Sequence, residues 1–377
     1  MTAPRIGPLT GTLILDFTTL LPGPMATLLL AEAGAEVYKI ERPGTGEDMR
    51  AFAPAWGRDS ANFALLNRGK KSLALDLKSK VDIARLRPLL ARCDVIVEQF
   101  RPGVMERLGL GYADVRAINP RAIYCSISGY GQTGPKREVA GHDVNYMGDS
   151  GLLALSLGTT AQPVLPPALI ADIAGGTYPA VVNILLALKD RERTGTGTHL
   201  DIAMADGVFA FTYWAMAQGQ ATGVWPGSGD GLLTGGGPRY RLYPTRDGRF
   251  AAVGAIEQKF WIAFTVAIGL DAALVEDTRD PTATTAAVAA IIASRTTDHW
   301  RPIFASADCC CTIVAPLQEA MADPHFQARG LFSERVRNEA GAEMTALPVP
   351  IAAHLRPALG QPSGAPPLGA NNADLDA

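Results

Sequence analysis

The chain has 377 residues, 47% of them hydrophobic and 19% charged, with a net charge of −3. That length exceeds what one ordinary core fills, so two domains are expected. A slightly acidic chain with no basic block is not built for nucleic acid as its main partner, although a local basic pocket for a phosphorylated small molecule is left open.

The run TLILDF at 12–17 is short, apolar and rich in strand formers, and reads as a buried strand. PMATLLLAEAGA at 24–35 reads as a helix, with Pro24 in its first turn and Gly34 at its exit. EVYKIE at 36–41, DVIVEQF at 94–100 and AIYCSISGYG at 122–131 repeat the strand signal. VDIARLRPLLARC at 81–93 and GVMERLGLG at 103–111 are helical between them. This alternation predicts an α/β layer with a largely parallel sheet.

A long helix is expected from Asp172 to about Arg193, ending at Gly195. HLDIAMADGVFAF at 199–211 reads as strand into helix. Five glycines between Gly227 and Gly236 mark a boundary. Beyond it, 240–256 reads as a strand pair joined near Asp247-Gly248, and helices follow at 257–269, 283–294 and 298–305. The expected division is a large domain over 1–215, completed by 340–377, a small α+β domain over 240–330, and a glycine-rich linker over 216–239. The Pro-, Gly- and Ala-rich tail from 345 reads as extended and packed through Ile351 and Leu355.

The five cysteines are Cys93, Cys125 and the run Cys309, Cys310, Cys311. Their number is odd, they show no CxxC spacing, and three adjacent residues do not readily wrap one tetrahedral metal. They read as reduced thiols in or near a core, and no metal is expected. The N-terminus shows no basic region followed by a long apolar run, and the longest apolar stretches fall short of a membrane span. No membrane partner and a cytoplasmic location are the expectations.

The opening strand–helix–strand unit invites a dinucleotide reading, with Glu41 ending the second strand. The intervening loop TTLLPGP lacks the GxGxxG that lets backbone approach a pyrophosphate. The P-loop, HExxH and EF-hand patterns are also absent, and Ser126 and Ser128 sit in CSISGYG rather than a GxSxG elbow.

Five segments in order, KIERPG, NRGKKSLALDL, EQFRPGVMERLGLG, SISGYGQTGP and RTGTGTHLDIAMADG, resemble the family III CoA transferases and their racemase relatives. GHDVNY, ADIAGG, GGGPRY and AVGAIEQKF are similar to the α-methylacyl-CoA racemase branch. The resemblance covers about residues 11 to 330. It implies a homodimer of two interlocked subunits, each with a Rossmann-like large domain and a smaller α+β domain. It also implies a site between the large domain of one subunit and the small domain of the other. The implied substrate is an acyl-CoA, with no cofactor beyond the CoA moiety.

Racemising a 2-methylacyl thioester removes the proton beside the carbonyl and returns one to the other face. Such chemistry needs an acid/base group on each face and a donor for the enolate oxygen. His142 suits one face, because imidazole titrates near neutrality. Taken alone, a histidine here more often bonds a backbone carbonyl; the racemase motif favours the base. Asp143 could orient a neighbour, and Tyr146 belongs to the same motif. Asp172 suits the other face, and as a helix N-cap it would stand beside free N–H groups able to hold the oxygen. Gly175 and Gly176 would let substrate approach that first turn. The motif also places the Glu257 carboxylate near the active site, from the partner subunit, where a pair with Asp172 would raise one pKa.

Arg42, Arg68, Lys70, Lys71, Arg101 and Arg107 sit in the motif segments and are candidates for the CoA phosphates. Arg42 and Arg101 stand out, each directly before a proline at a strand exit. A transferase of the same family is the alternative, with Asp172 as the nucleophile forming an anhydride and then a thioester with CoA. The glycine run 235–237 suits that reading, since transferases of the family use a mobile loop there. A non-catalytic CoA-ester binding protein is the third.

Overall fold

Leu13–Asp16 (β1) is buried along its whole length and apolar up to Asp16, as suits a strand covered on both faces. It is paired in parallel with Glu36–Glu41 (β2) on one side and Val95–Glu98 (β4) on the other. Lys71–Ala74 (β3) extends the sheet beyond β2, while Ile123–Ser128 (β5) and His199–Ala203 (β6) extend it beyond β4. The computed structural model describes residues 6–357 and 363–376. Its six-stranded sheet runs in the order β3-β2-β1-β4-β5-β6. This is the doubly wound order, and it reverses between β1 and β4, where ligands sit outside the carboxyl ends of the strands.

Pro22–Glu32 (α1) follows β1 and buries nearly every residue, with Pro22 in its first turn. Ala61–Asn67 (α2) and Lys80–Arg92 (α3) start on serine caps, Ser60 and Ser79, whose hydroxyls accept backbone N–H groups. Val104–Arg107 (α4), Tyr112–Ile118 (α5) and Asp143–Asp149 (α6) are short. Ala171–Thr177 forms a wide π-helical turn that runs directly into Tyr178–Thr194 (α7). Met204–Val208 (α8) follows β6. One core cluster gathers Leu15, Phe17, Leu73, Leu86, Ile96 and Tyr124 beneath α3 and α5.

The expected long helix from Asp172 is therefore two helical forms. The Tyr178 N–H reaches back five residues to the Ile173 carbonyl, and Pro179 has no N–H to offer the preceding turn. Ala171–Thr194 as a whole is 24 residues long and apolar enough to cross a membrane by length and composition. This corrects the expectation that no stretch reaches that length. Helix α7 packs on α1, β5 and β6 while leaving Tyr178, Val182, Leu185 and Leu186 exposed along one face.

The tail lies along the open edge of β3. Asn371 and Asn372 accept the N–H groups of Ser72 and Ala74 at 3.2 and 2.8 Å, and Tyr38 donates to Asp374 at 2.7 Å. Pairing of this kind protects a sheet edge. The anchor is Leu375, which is buried, whereas Leu355 is exposed.

The chain divides into two units. The first comprises Met1–Ser150, Ala168–Ala210 and His325–Ala377; the second comprises Gly151–Pro167 and Phe211–Pro324. Residues 151–167 thus group with the second unit, as do residues 216–239. The second unit has a helix, Tyr213–Thr222 (α9), then an antiparallel sheet of Tyr240–Pro244 (β7), Phe250–Gly254 (β8) and Cys311–Ile313 (β9). Gln258–Ile268 (α10), Pro281–Ala293 (α11) and Thr297–Ser306 (α12) complete it. Its core centres on Trp261, Phe264, Trp300 and Phe304, with the last two rings stacked at 5.4 Å. Cys93, Cys125, Cys309 and Cys311 are buried, Cys310 is exposed, and all five are free thiols.

Candidate active site

A cleft of 510 Å³ opens at the carboxyl ends of β1, β4 and β5. Thr19, Gln99, Arg101, His142, Tyr146 and Asp172 all line it. His142 and Asp172 are 30 positions apart in the sequence, and the fold brings both to this cleft.

His142 is the N-cap of α6. Its backbone N–H donates to Asn145 Oδ1 at 3.0 Å, which fixes the helix start. The imidazole is exposed and makes no hydrogen bond among the described residues. It is therefore available to a ligand.

Asp143, in the first turn of the same helix, is buried and points the other way. Its Oδ1 accepts the Asp172 N–H at 2.9 Å, and the Ala171 N–H is bonded to it as well. Burial raises its pKa, and those two N–H groups offset part of the rise. Asp143 thus builds the site from behind, by holding the backbone of the π-turn.

Asp172 lies one residue inside that turn and is not its N-cap. The free N–H groups expected there are already used: Asp172 donates to Asp143, and Ile173 donates to the Leu169 carbonyl at 3.0 Å. The Asp172 carboxyl is raised from 3.8 to about 6, first by burial and then by the Asp143 charge, while His142 pulls it down. The like charge acting on Asp172 comes from its own unit. A carboxyl group near 6 can both take and give a proton at neutral pH.

Tyr146 lines the cleft and donates to the Gly141 carbonyl, with its ring edge-on to Tyr130. Gly175 and Gly176 do not line the cleft; both are buried. A Cβ on Gly175 would come within 2.3 Å of the Met204 carbonyl oxygen, and one on Gly176 within 2.9 Å of Met204 Cγ. The pair is explained by contact with α8 rather than by approach of a substrate.

The basic candidates separate in the same way. Arg68 is buried, bonded to Glu32 at 2.8 Å and to the Leu65 and Leu347 carbonyls. Lys70 is buried among Asp16, Thr27 and Asn67, and burial lowers its pKa to about 8. Lys71 pairs with Glu36 and donates to Tyr38 at 2.9 Å. These three are spent inside the unit and cannot serve a phosphate without breaking those bonds. Arg42 is exposed, paired with Asp48, and lines a second cleft of 660 Å³ at the ends of β1 to β4. Arg101 makes no ion pair or side-chain hydrogen bond among the described residues. Arg107 is exposed beside Lys78 and Arg87 in a groove adjoining the second cleft.

The two clefts share Thr19 and Phe100. Lys78 and Arg137 are lining residues that the motif reading passed over. Arg137 lies between the SISGYGQTGP and GHDVNY segments, five positions before His142, and that proximity was the available signal. Glu257 belongs to the second unit, where it is the exposed N-cap residue of α10. Also in that unit, an open groove of 640 Å³ is lined by Gly229, Gly235, Arg241 and Cys310. Among the described residues no group of three or more His, Cys, Asp or Glu side chains is placed to hold a metal ion.

Residues 9–372 match the model of CoA-transferase family III. The chain belongs to CoA-transferase family III. Alpha-methylacyl-CoA racemase from Homo sapiens is 37% identical over 328 residues, spanning 86% of this chain and 82% of that protein. Succinyl-CoA:glutarate CoA-transferase from Homo sapiens is 38% identical over 255 residues, spanning 67% of this chain and 57% of that protein. A CaiB/BaiF family protein from Brucella suis shares the fold with a TM-score of 0.84 at 28% identity, over 99% of both chains. This family III member is thus an enzyme of the transferase and racemase type, and an acyl-CoA substrate is consistent with the family.

Proposed function

We propose that the protein inverts the α-carbon of 2-methylacyl-CoA thioesters by proton transfer through an enolate. The observation that carries this reading is that an unbonded imidazole and a carboxyl held near 6 line one cleft. His142 removes the α-proton of one enantiomer, and the C–H electron pair moves into the thioester to give the enolate. Protonated Asp172 returns a proton to the opposite face. For the other enantiomer the two exchange roles, and no net proton is gained or lost.

The enolate oxygen needs a donor, and the backbone groups at 171–173 are committed. Arg101, the Asn145 and Gln99 amides and the unpartnered Ser128 hydroxyl are cleft side chains with donors to spare among the described residues. The thioester end of CoA enters this cleft and the nucleotide end the second, joined past Thr19 and Phe100. Arg42 and Lys78 meet the phosphates there, with Arg107 in the adjoining groove. Glu257 and a homodimer that brings it to Asp172 from a second copy complete the proposal. The exposed apolar face of α7 supports a partner chain.

The test is proton NMR of the purified protein with (S)-2-methylacyl-CoA in D₂O, without an acceptor acid. Loss of the α-proton, collapse of the methyl doublet and appearance of the R isomer are expected. The transferase relatives favour a second reading, with Asp172 as a nucleophile. If no exchange occurs but CoA becomes attached at Asp172 after incubation with acyl-CoA, the transferase reading replaces the racemase one.

A further inference from the structure

Both clefts meet at Gln99–Arg101, the segment leaving β4. Phe100 lines both clefts, and Gln99 also accepts the Gly23 N–H at 3.0 Å. Once the strand ends, the half-buried Phe100 N–H has no strand partner, and such a group needs an acceptor. Glu98 supplies it: its Oε2 accepts the Phe100 N–H at 2.8 Å from two residues back. The carboxyl is 4% exposed and also bonds the Ser126 hydroxyl. Ser126 Oγ in turn lies 3.0 Å from His199 Nε2, whose ring stacks on Tyr112. No cation pairs with Glu98 among the described residues. The groups facing it are Ser126, Tyr124 and Cys125 from β5, Glu106 from α4, and Asp201 from β6.

We propose that Glu98 is a positioning residue for the CoA ester, holding Gln99–Arg101 in register with both clefts through its bond to Phe100. This rests on the acyl-CoA reading above. Glu98 touches no reacting atom; it acts through Phe100 and Arg101. Burial, with Glu106 and Asp201 adding like charge, raises its pKa to about 7. Ionised, it makes charge-assisted bonds to Phe100 and Ser126, which are the stronger kind. The segment is therefore held more firmly above neutrality than below it.

The test is calorimetric binding of CoA from pH 6 to 8.5, with steady-state kinetics, for wild type, Glu98→Gln and Glu98→Asp. Glutamine keeps the shape and still accepts the Phe100 N–H, but carries no charge. Aspartate keeps the charge but is one methylene too short. Wild type is expected to bind CoA roughly three- to fivefold tighter as pH rises through about 7, a gain that Glu98→Gln lacks. The 3′-phosphate titrates identically in both proteins, so the difference isolates Glu98. Glu98→Asp is expected to raise KM about tenfold at every pH with kcat nearly unchanged. If Glu98→Gln follows the wild-type pH profile, or Glu98→Asp keeps the wild-type KM, the proposal is overturned while the acyl-CoA reading stands. Wild type that binds no CoA at any pH overturns both.

Discussion

The carboxylate of Asp143 accepts the backbone N–H of Asp172 at 2.9 Å. Two acidic residues 29 positions apart are joined through a main-chain bond, with the side chain of one supporting the backbone of the other. The same contact places a negative charge beside the Asp172 carboxyl and raises its pKa. Burial is the larger cause of the raised pKa and the Asp143 charge adds to it, so Asp143 contributes to both the position and the proton affinity of the candidate acid.

Asp143→Ala removes that support and leaves two N–H groups unpaired. A stability loss of about 1–3 kcal/mol is expected by thermal melting, with a clear drop in kcat. Asp143→Asn keeps an acceptor and should recover most stability while lowering the apparent pKa of Asp172. An unchanged pH–rate profile in Asp143→Asn would contradict the electrostatic part of this account.

Asp172→Asn should lose activity yet gain stability above neutrality. The folded-state pKa of Asp172, about 6, lies above its ordinary 3.8. Folding therefore favours the protonated form; the stability this contributes is complete below about pH 4 and is lost as pH rises through 6. Replacing the carboxyl by a neutral amide removes the cost of a buried charge. After allowance for partial exposure, the gain is about 1–2 kcal/mol at pH 7.5 and near zero at pH 4. Equal melting temperatures for wild type and variant at both pH values would rule it out.

His142→Ala should reduce α-proton exchange in D₂O by about 10²- to 10⁴-fold while leaving the melting temperature unchanged. The ring is exposed and holds nothing in place. Full turnover by this variant would sink the two-base mechanism.

Gly175→Ala tests the packing reading of the glycine pair. A methyl group 2.3 Å from the Met204 carbonyl cannot be accommodated without moving α8 or the π-turn. A loss of about 1–3 kcal/mol is expected. If melting is unaffected but KM rises, the position faces substrate after all.

Arg68→Ala and Arg101→Ala should behave oppositely. The first removes one of the two arginines that pair with buried Glu32, leaving Arg356 as its partner, and frees the Leu65 and Leu347 carbonyls, at a cost of about 1–3 kcal/mol in stability. The second removes an exposed, unpaired cation, so melting should hold while KM for acyl-CoA rises about tenfold. Reversal of that pattern would show the two arginines to be wrongly sorted.

The alternation of strand and helix was legible because buried parallel strands leave short apolar runs and helices leave longer segments bounded by proline and glycine. The motif segments carried His142 and Asp172 to the page together for the same reason: each lies in a distinctive short stretch. Local pattern could not sort the cations. Arg68 is consumed by Glu32 and by the Leu347 carbonyl, groups 36 and 279 positions away, and Lys70 by Asp16, 54 positions away. Nor could it show Asp143 as a support, or the glycines as a helix contact, since both depend on elements meeting across the fold. The sequence by itself determined the kinds of element and the chemistry available. Only the tertiary structure decided which polar groups are bonded internally and which still face a ligand, because pairing and desolvation belong to contacts between distant parts of the chain.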